Sequence, residues 1–404
     1  MTRTATKLAL TSAAIALFSA QSALALDADE FANRFSELGR IMGIGIEIGA
    51  SHTDGDTVTL SDFTLSIPGE APVEIEGDLV FSGVTETGDG GYFAQTATIE
   101  DIDFADDDVA ISLQNIMAQG ISLPADISPD NAMLLSYTMI ERASAGPLVI
   151  SVLEDDAQDA FVIESIELWT DSAADMSALS SGFVLSGMTA NLGLIPDAEA
   201  REVFEAFGVE TLTSELRILG TWLPSEGVME LTEMSYDIAD LGRIDITGVI
   251  SGYTLELYRD MMKLNMKMAE LGEDASMADL DAFDNAMMEI VMNLRLDNAK
   301  IRYDDASLFM KVLDFIGKEQ GIDGATFASG LKFMVPMVLT EVDNPPLVSM
   351  ITSALNAFID NPQSLEIEAA PVEPISFADL DTIEIENDPF ILVDMLNIEI
   401  RANQ

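Results

Sequence analysis

Between Thr57 and Tyr253 the apolar residues return at every second position in one short run after another. Most of these runs are parted by turn clusters too short to carry a parallel crossover, so the strands they predict must pair antiparallel as a meander. Val58, Leu60, Phe63, Leu65 and Ile67 alternate with Thr and Ser, and a one-residue slip at Asp62 predicts a bulge or bend. Residues 73–82, 92–99, 109–123 and 148–153 read as further strands, separated by turns such as 87–91 and 106–108. Strands resume over 212–222, 228–238 and 243–253.

Helical spacing brackets this region and interrupts it once. Phe31, Phe35, Leu38 and Met42 share one face of a helix predicted over 28–42, and 196–207 carries the stripe Ala200, Val203, Phe204 and Phe207 before Gly208. From Leu255 the period is largely helical: Leu257, Met261, Leu264, Met268 and Leu271 form one stripe, and 277–292 forms a second helix. A β-like pair is expected over 292–303, then helices at 306–318, 324–339 and 346–359. A strand at 365–369, the proline-spaced 371–374, a short helix at 389–396 and a strand at 397–401 close the chain. The expected fold class is α+β, an antiparallel β-rich meander in the first half packed against a helix-rich second half. Residues 26–254 would form a β-rich domain and 255–404 a helix-rich domain with closing strands, the two being free to share one core.

Residues 1–25 read as a secretory signal peptide. Arg3 and Lys7 precede an apolar run from Leu8 to Leu24, which ends at the small-x-small site Ala23-Leu24-Ala25. Thr11, Ser12, Ser19, Gln21 and Ser22 interrupt the run and make it a poor permanent span, so a periplasmic chain starting near Leu26, with no stable membrane span, is expected. The chain has no cysteine, which removes disulfides, thiolate metal sites and cysteine nucleophiles. Its formal charge of -53 becomes -55 when Arg3 and Lys7 leave with the leader. No Lys or Arg lies between Arg40 and Arg142, against nineteen Asp and Glu, and nine of the sixteen remaining basic residues fall between Arg259 and Lys332. Such a surface repels nucleic acid. A hydrophobic content of 48% separates the chain from disordered acidic tails.

Motifs for chemistry are sparse. His52 is the single histidine and sits in the polar, loop-like run 50–56, without a Gly-x-Ser-x-Gly elbow to serve. Gly43-Ile44-Gly45 stops short of a dinucleotide fingerprint, and no phosphate loop is present, so no cofactor is expected. Abundant carboxylates leave a glycosidase-like hydrolase open as a third reading, although Trp169 and Trp222 are the only tryptophans available as sugar platforms. The acidic runs at 54–56 and 101–108 read as solvated turns or as calcium ligands, and neither follows the twelve-residue loop with a terminal Glu.

The methionine-rich helix offers the sharpest candidate site. Arg259, Lys263 and Lys267 recur every four residues opposite Met261, Leu264 and Met268. Such a helix is either a core element whose basic face meets the protein's own acidic sheet, or the wall of an apolar groove with a basic flank for an anionic headgroup.

Two stretches carry a resemblance. The first comprises Phe207-Gly208-Val209, 212–219, 227–231 and Leu241-Gly242-Arg243-Ile244-Asp245-Ile246-Thr247-Gly248. The second runs from Ile301-Arg302-Tyr303-Asp304-Asp305-Ala306-Ser307-Leu308 through Phe358, Pro362, 365–367, Pro371 and Pro374 to 396–400 and Ala402-Asn403. Together they resemble an uncharacterised family of exported, periplasmic proteins of Gram-negative bacteria. More loosely, the alternating short strands are similar to AsmA-like envelope proteins whose sheets form lipid-holding grooves. The expected function is non-enzymatic binding of a lipid or other apolar ligand in the envelope. The alternative is a protein-interaction or scaffolding component.

Overall fold

A computed structural model describes residues 26–41, 43–66, 72–75, 77–106, 108–128, 138–153, 157–173, 175–195, 197–271, 276–339, 342, 344–381 and 391–404. Residues 1–25, read above as a leader, Met42 and Ile67 lie outside them. Strands β1 (Gly45–Asp54), β2 (Thr57–Ser66), β3 (Val73–Ile75), β4 (Leu79–Ser82), β5 (Thr85–Glu86), β6 (Tyr92–Ile99) and β7 (Ile102–Ala105) come first. Next are β8 (Val109–Leu113), β9 (Met117–Leu123), β10 (Ile140–Ala145), β11 (Leu148–Val152), β12 (Gln158–Ser172) and β13 (Leu179–Asn191). The set closes with β14 (Thr211–Leu223), β15 (Val228–Ile238), β16 (Gly242–Ser251), β17 (Arg295–Asp305), β18 (Ser364–Ala369), β19 (Ile375–Ser376) and β20 (Ile398–Ala402). The helices are α1 (Ala28–Ile41), α2 (Ala198–Phe207), α3 (Leu255–Leu271), α4 (Met277–Met292), α5 (Leu308–Glu319), α6 (Gly324–Val338), α7 (Pro345–Asp360), α8 (Phe377–Asp381) and α9 (Ile391–Met395).

Among the described residues all twenty strands belong to one sheet, and every pairing is antiparallel. Its main path runs β1, β2, β4, β6, β9, β10, β12, β13, β14, β15, β16, β17, β18, β20, so nearly every strand lies beside a near neighbour in sequence. This is the α+β class expected, with strands mostly early and central and helices later.

Three of the paths are kinked. The expected strand 109–123 is broken into β8 and β9 at Asn115, which takes φ 53°. Residues 100–101 divide β6 from β7, and the cis Gly146-Pro147 bond divides β10 from β11. Asp62 carries φ 54°, which is the bend expected there. The expected pair over 292–303 is instead one strand, β17, because β16 already supplies its partner. His52, expected in a loop, lies on β1 opposite Thr59, since 50–54 is the first arm of a hairpin.

Helix starts follow local chemistry. Ser276 caps α4 in a reciprocal pair with Asp279, Asp323 accepts from the Thr326 N–H at 2.7 Å, and Asn344 accepts from the Leu347 N–H at 3.1 Å ahead of Pro345. The main core is built where α1 and α3 meet the sheet. Phe31 and Leu38 of α1, Val58, Leu60, Phe81, Ala97, Ile121, Leu179 and Trp222 of the strands, and Tyr258 and Met262 of α3 are buried together. A second packing centre joins α7 to the closing strands: Phe358 meets Tyr303 at 6.1 Å and Phe309 at 4.9 Å between ring centres.

Candidate apolar binding face

Residues paired across an antiparallel sheet point to the same side, so the register converts strand sequences into rows. One row runs Leu168, Phe183, Ile218, Met234, Ile246, Ile301, Ile367, Ile400 across β12 to β20. Every member is apolar. At a strand spacing of about 4.8 Å, these eight strands span about 34 Å. The neighbouring row on the same face, Ile166, Leu185, Leu216, Tyr236, Ile244, Tyr303, Leu365, Ala402, carries no charge either.

Followed the other way, the first row continues through Ala143, Ala118, Ala97 and Phe81 to Val58. There α1 covers it: Val58 and Phe81 are buried, and Phe31 packs edge-on against Phe81 at 4.8 Å. Toward β12 the cover ends. Leu168 is 42%, Met234 38%, Ile244 45%, Ile301 49% and Ile367 41% exposed. One sheet face thus serves as core at its early end and as open apolar floor at its late end.

Helices flank this floor. On one side Tyr258 of α3 stacks on Trp222 at 5.4 Å, and on the other α7 seats Phe358 on Tyr303. A Cβ built on Gly220, beside Ile218 on the floor, would meet within 4 Å only the Glu230 carbonyl oxygen at 3.1 Å. Tyr303 donates its hydroxyl to Asp305 at 2.6 Å, and burial, with that carboxylate, pushes its pKa well above the ordinary tyrosine value.

The opposite face is a lattice of ion pairs. Its central row runs Glu167, Val184, Arg217, Ser235, Asp245, Arg302, Glu366, Arg401, alternating in sign over the last four. Arg243 contacts Asp245 at 2.6 Å and Glu233 at 3.1 Å, and Glu233 also meets Arg217 at 3.4 Å. Glu366 gathers Arg401 at 2.9 Å, Arg302 at 3.6 Å and Lys300 at 4.0 Å. Burial opposes ionisation of Glu233, but the Ser235 hydroxyl and the two guanidiniums outweigh it and hold its pKa below the usual value. Arg243 is driven above the ordinary arginine value chiefly by Asp245, Arg302 by Asp304 and Arg401 by Glu366. Every Lys and Arg of β10 to β20 falls on this polar face by register, including Arg142 opposite Trp169 and Arg295 opposite Ser251.

The sequence-derived site on α3 is placed as follows. Met268 is buried, Met261 and Leu264 are half-buried, and Arg259, Lys263 and Lys267 are exposed. Lys263 pairs with Asp260 at 2.8 Å. The deepest α3 contacts with the sheet come from Tyr258 and Met262, one position away from the stripe read in the sequence. The floor residues escaped sequence reasoning, although the alternation of β14 to β18 contains them; what was missing was the register that aligns them. Among the described residues no group of three or more metal-ligating side chains converges, and at 106–109 the Asp106 carboxylate instead accepts from the Asp108 and Val109 N–H groups at 2.9 and 2.8 Å. No helix among them is long and apolar enough to cross a membrane.

No curated protein matches the chain. Residues 235–403 match the model of a family described as "Uncharacterized protein", a span that takes in 241–248 and the closing signature from Ile301 to Asn403 but leaves out 207–231.

Proposed function

We propose that this protein is a non-enzymatic component of the cell envelope that holds a lipid or other apolar molecule on the open floor of its sheet. The observation that carries this reading is the uncharged row from Leu168 to Ile400, which is exposed at Leu168, Met234, Ile301 and Ile367. Contiguous apolar patches of more than a few hundred Å² are rare on soluble monomers and mark interaction sites. Fully burying an exposed Leu, Ile or Met side chain yields about 1.5–3 kcal/mol, and covering these partly exposed ones yields about half of that each, so a chain molecule laid on several of them gains binding energy without any charged contact. The leader at 1–25 supports an envelope location, and α3 and α7 form the borders of the floor.

Native mass spectrometry of the protein purified from the periplasm without detergent, followed by organic extraction, tests the reading. A stoichiometric lipid adduct, lost in Ile301→Asp, is expected. A bare protein mass that stays bare after incubation with lipid vesicles would sink it.

A docking role is favoured by a separate observation. The distal part of α6 leaves Phe333 79%, Met334 53% and Val338 72% exposed. Co-purification of a defined envelope protein that disappears in Phe333→Asp, but persists in Ile301→Asp, would select this second reading.

A further inference from the structure

We infer that the floor selects lipids of zero net charge and rejects anionic phospholipids. The inference rests on the lipid-holding reading above and adds the ligand's charge class.

Three observations carry it. The two floor rows contain no cation, and every Lys and Arg of β10 to β20 projects from the opposite face by register. On that face Arg217, Arg243, Lys300, Arg302 and Arg401 are each paired with a carboxylate. The flanking helices add no net positive charge: on α3 Arg259, Lys263 and Lys267 are matched in number by Glu256, Asp260 and Glu270. Helix α4, packed beside α3, bears Asp279, Asp281, Asp284 and Glu289 without a cation, and the single charged residue of α7 is Asp360, paired with Lys332. The basic residues of α3 are exposed, whereas Tyr258 and Met262 are the α3 side chains that reach the sheet.

An anionic headgroup leaving the floor therefore meets carboxylates under the field of a chain with formal charge -53. A zwitterionic or uncharged headgroup has no such penalty. The repulsion acts through solvent, so it must weaken as salt is added.

The test loads the mature protein with an equimolar mixture of dioleoyl phosphatidylethanolamine, dioleoylglycerol and dioleoyl phosphatidylglycerol, re-isolates it by gel filtration and quantifies the extracted lipids at low and high salt. At low salt phosphatidylglycerol should be retained at least about fivefold less than phosphatidylethanolamine, a ratio that narrows at high salt. Dioleoylglycerol separates charge from the mere presence of a phosphate, and it should be retained like phosphatidylethanolamine. Ile301→Lys, which places a cation on the floor at an exposed position, should raise phosphatidylglycerol relative to phosphatidylethanolamine severalfold. Equal or preferential retention of phosphatidylglycerol at low salt overturns the charge selectivity and leaves the lipid reading standing. Retention of none of the three overturns the lipid reading, and the selectivity with it.

Discussion

Trp222 donates its indole N–H to the backbone carbonyl of Tyr253 over 2.7 Å while the two rings meet nearly edge-on at 5.3 Å. The contact ties the end of β14 to the segment that leaves β16 and enters α3, and Trp222 is only 1% exposed. Trp222→Phe keeps much of the ring but loses that hydrogen bond, and should cost about 1 kcal/mol. Trp222→Ala also opens a cavity under Tyr258 and should cost about 3–5 kcal/mol. Urea denaturation of both variants checks the ranking.

Phe81 and Ile301 belong to one lateral row but to different environments. Phe81 is 1% exposed under α1, whereas Ile301 is open to solvent. Phe81→Ala should destabilise by about 3–5 kcal/mol. Ile301→Asp should cost under about 1 kcal/mol and yet abolish retention of lipid. Thermal melts paired with lipid extraction separate the two outcomes. Equal destabilisation by both would mean that the late end of the face is covered in solution.

Glu233 links protonation to folding. Its folded pKa lies below the ordinary 4.5, so its contribution to stability is fully present above pH 4.5 and is lost as pH falls through the lowered folded value. Because Glu233 and its arginine partners are partly exposed, that contribution is about 0.5–1 kcal/mol. Glu233→Gln should therefore lower stability at neutral pH by about that amount, and the difference from wild type should shrink on the acid side of pH 4.5. Denaturant midpoints measured along the pH axis give the comparison.

Glu366 serves Arg401, Arg302 and Lys300 and is itself only 14% exposed. Glu366→Ala leaves these cations short of a partner and should cost about 1.5–3 kcal/mol. Hydrogen exchange should locate the loss in β20, held laterally by β18 and by the Arg401 contacts. Unchanged protection at 398–402 would contradict the assignment.

Much of this architecture was legible from local pattern alone. Strand β15 and helix α4 match the ranges read from periodicity, because each is a single uninterrupted run between clear turns. Strands β12 and β13 escaped notice: Glu164, Glu167 and Asp171 interrupt β12, and Gly187, at φ 61°, shifts the parity of β13. On α3 the stripe was found but its deepest contacts lie one residue away, since the space around Trp222 is filled by Tyr258 and Met262. The floor is a property of eight strands in register, and no single strand's alternation reveals whether its apolar side will be covered. Parity showed that each strand has two faces; only the position of α1 over Val58 and Phe81, and its absence over Ile301, decides which part of that face is core.

The pairing of strands with near neighbours in sequence also bears on assembly. A chain made from its N-terminus can add each new strand of the main path, from β2 through β16, to the margin left by the one before. Two long helical detours interrupt this order: α3 and α4 lie between β16 and β17, and α5 to α7 lie between β17 and β18 and must be completed before β18 and β20 can dock. The last two strands of the floor are therefore the last to arrive, and a chain stopped before β18 would present Ile301 and its neighbours on a raw sheet margin, a hazard for pairing with other chains.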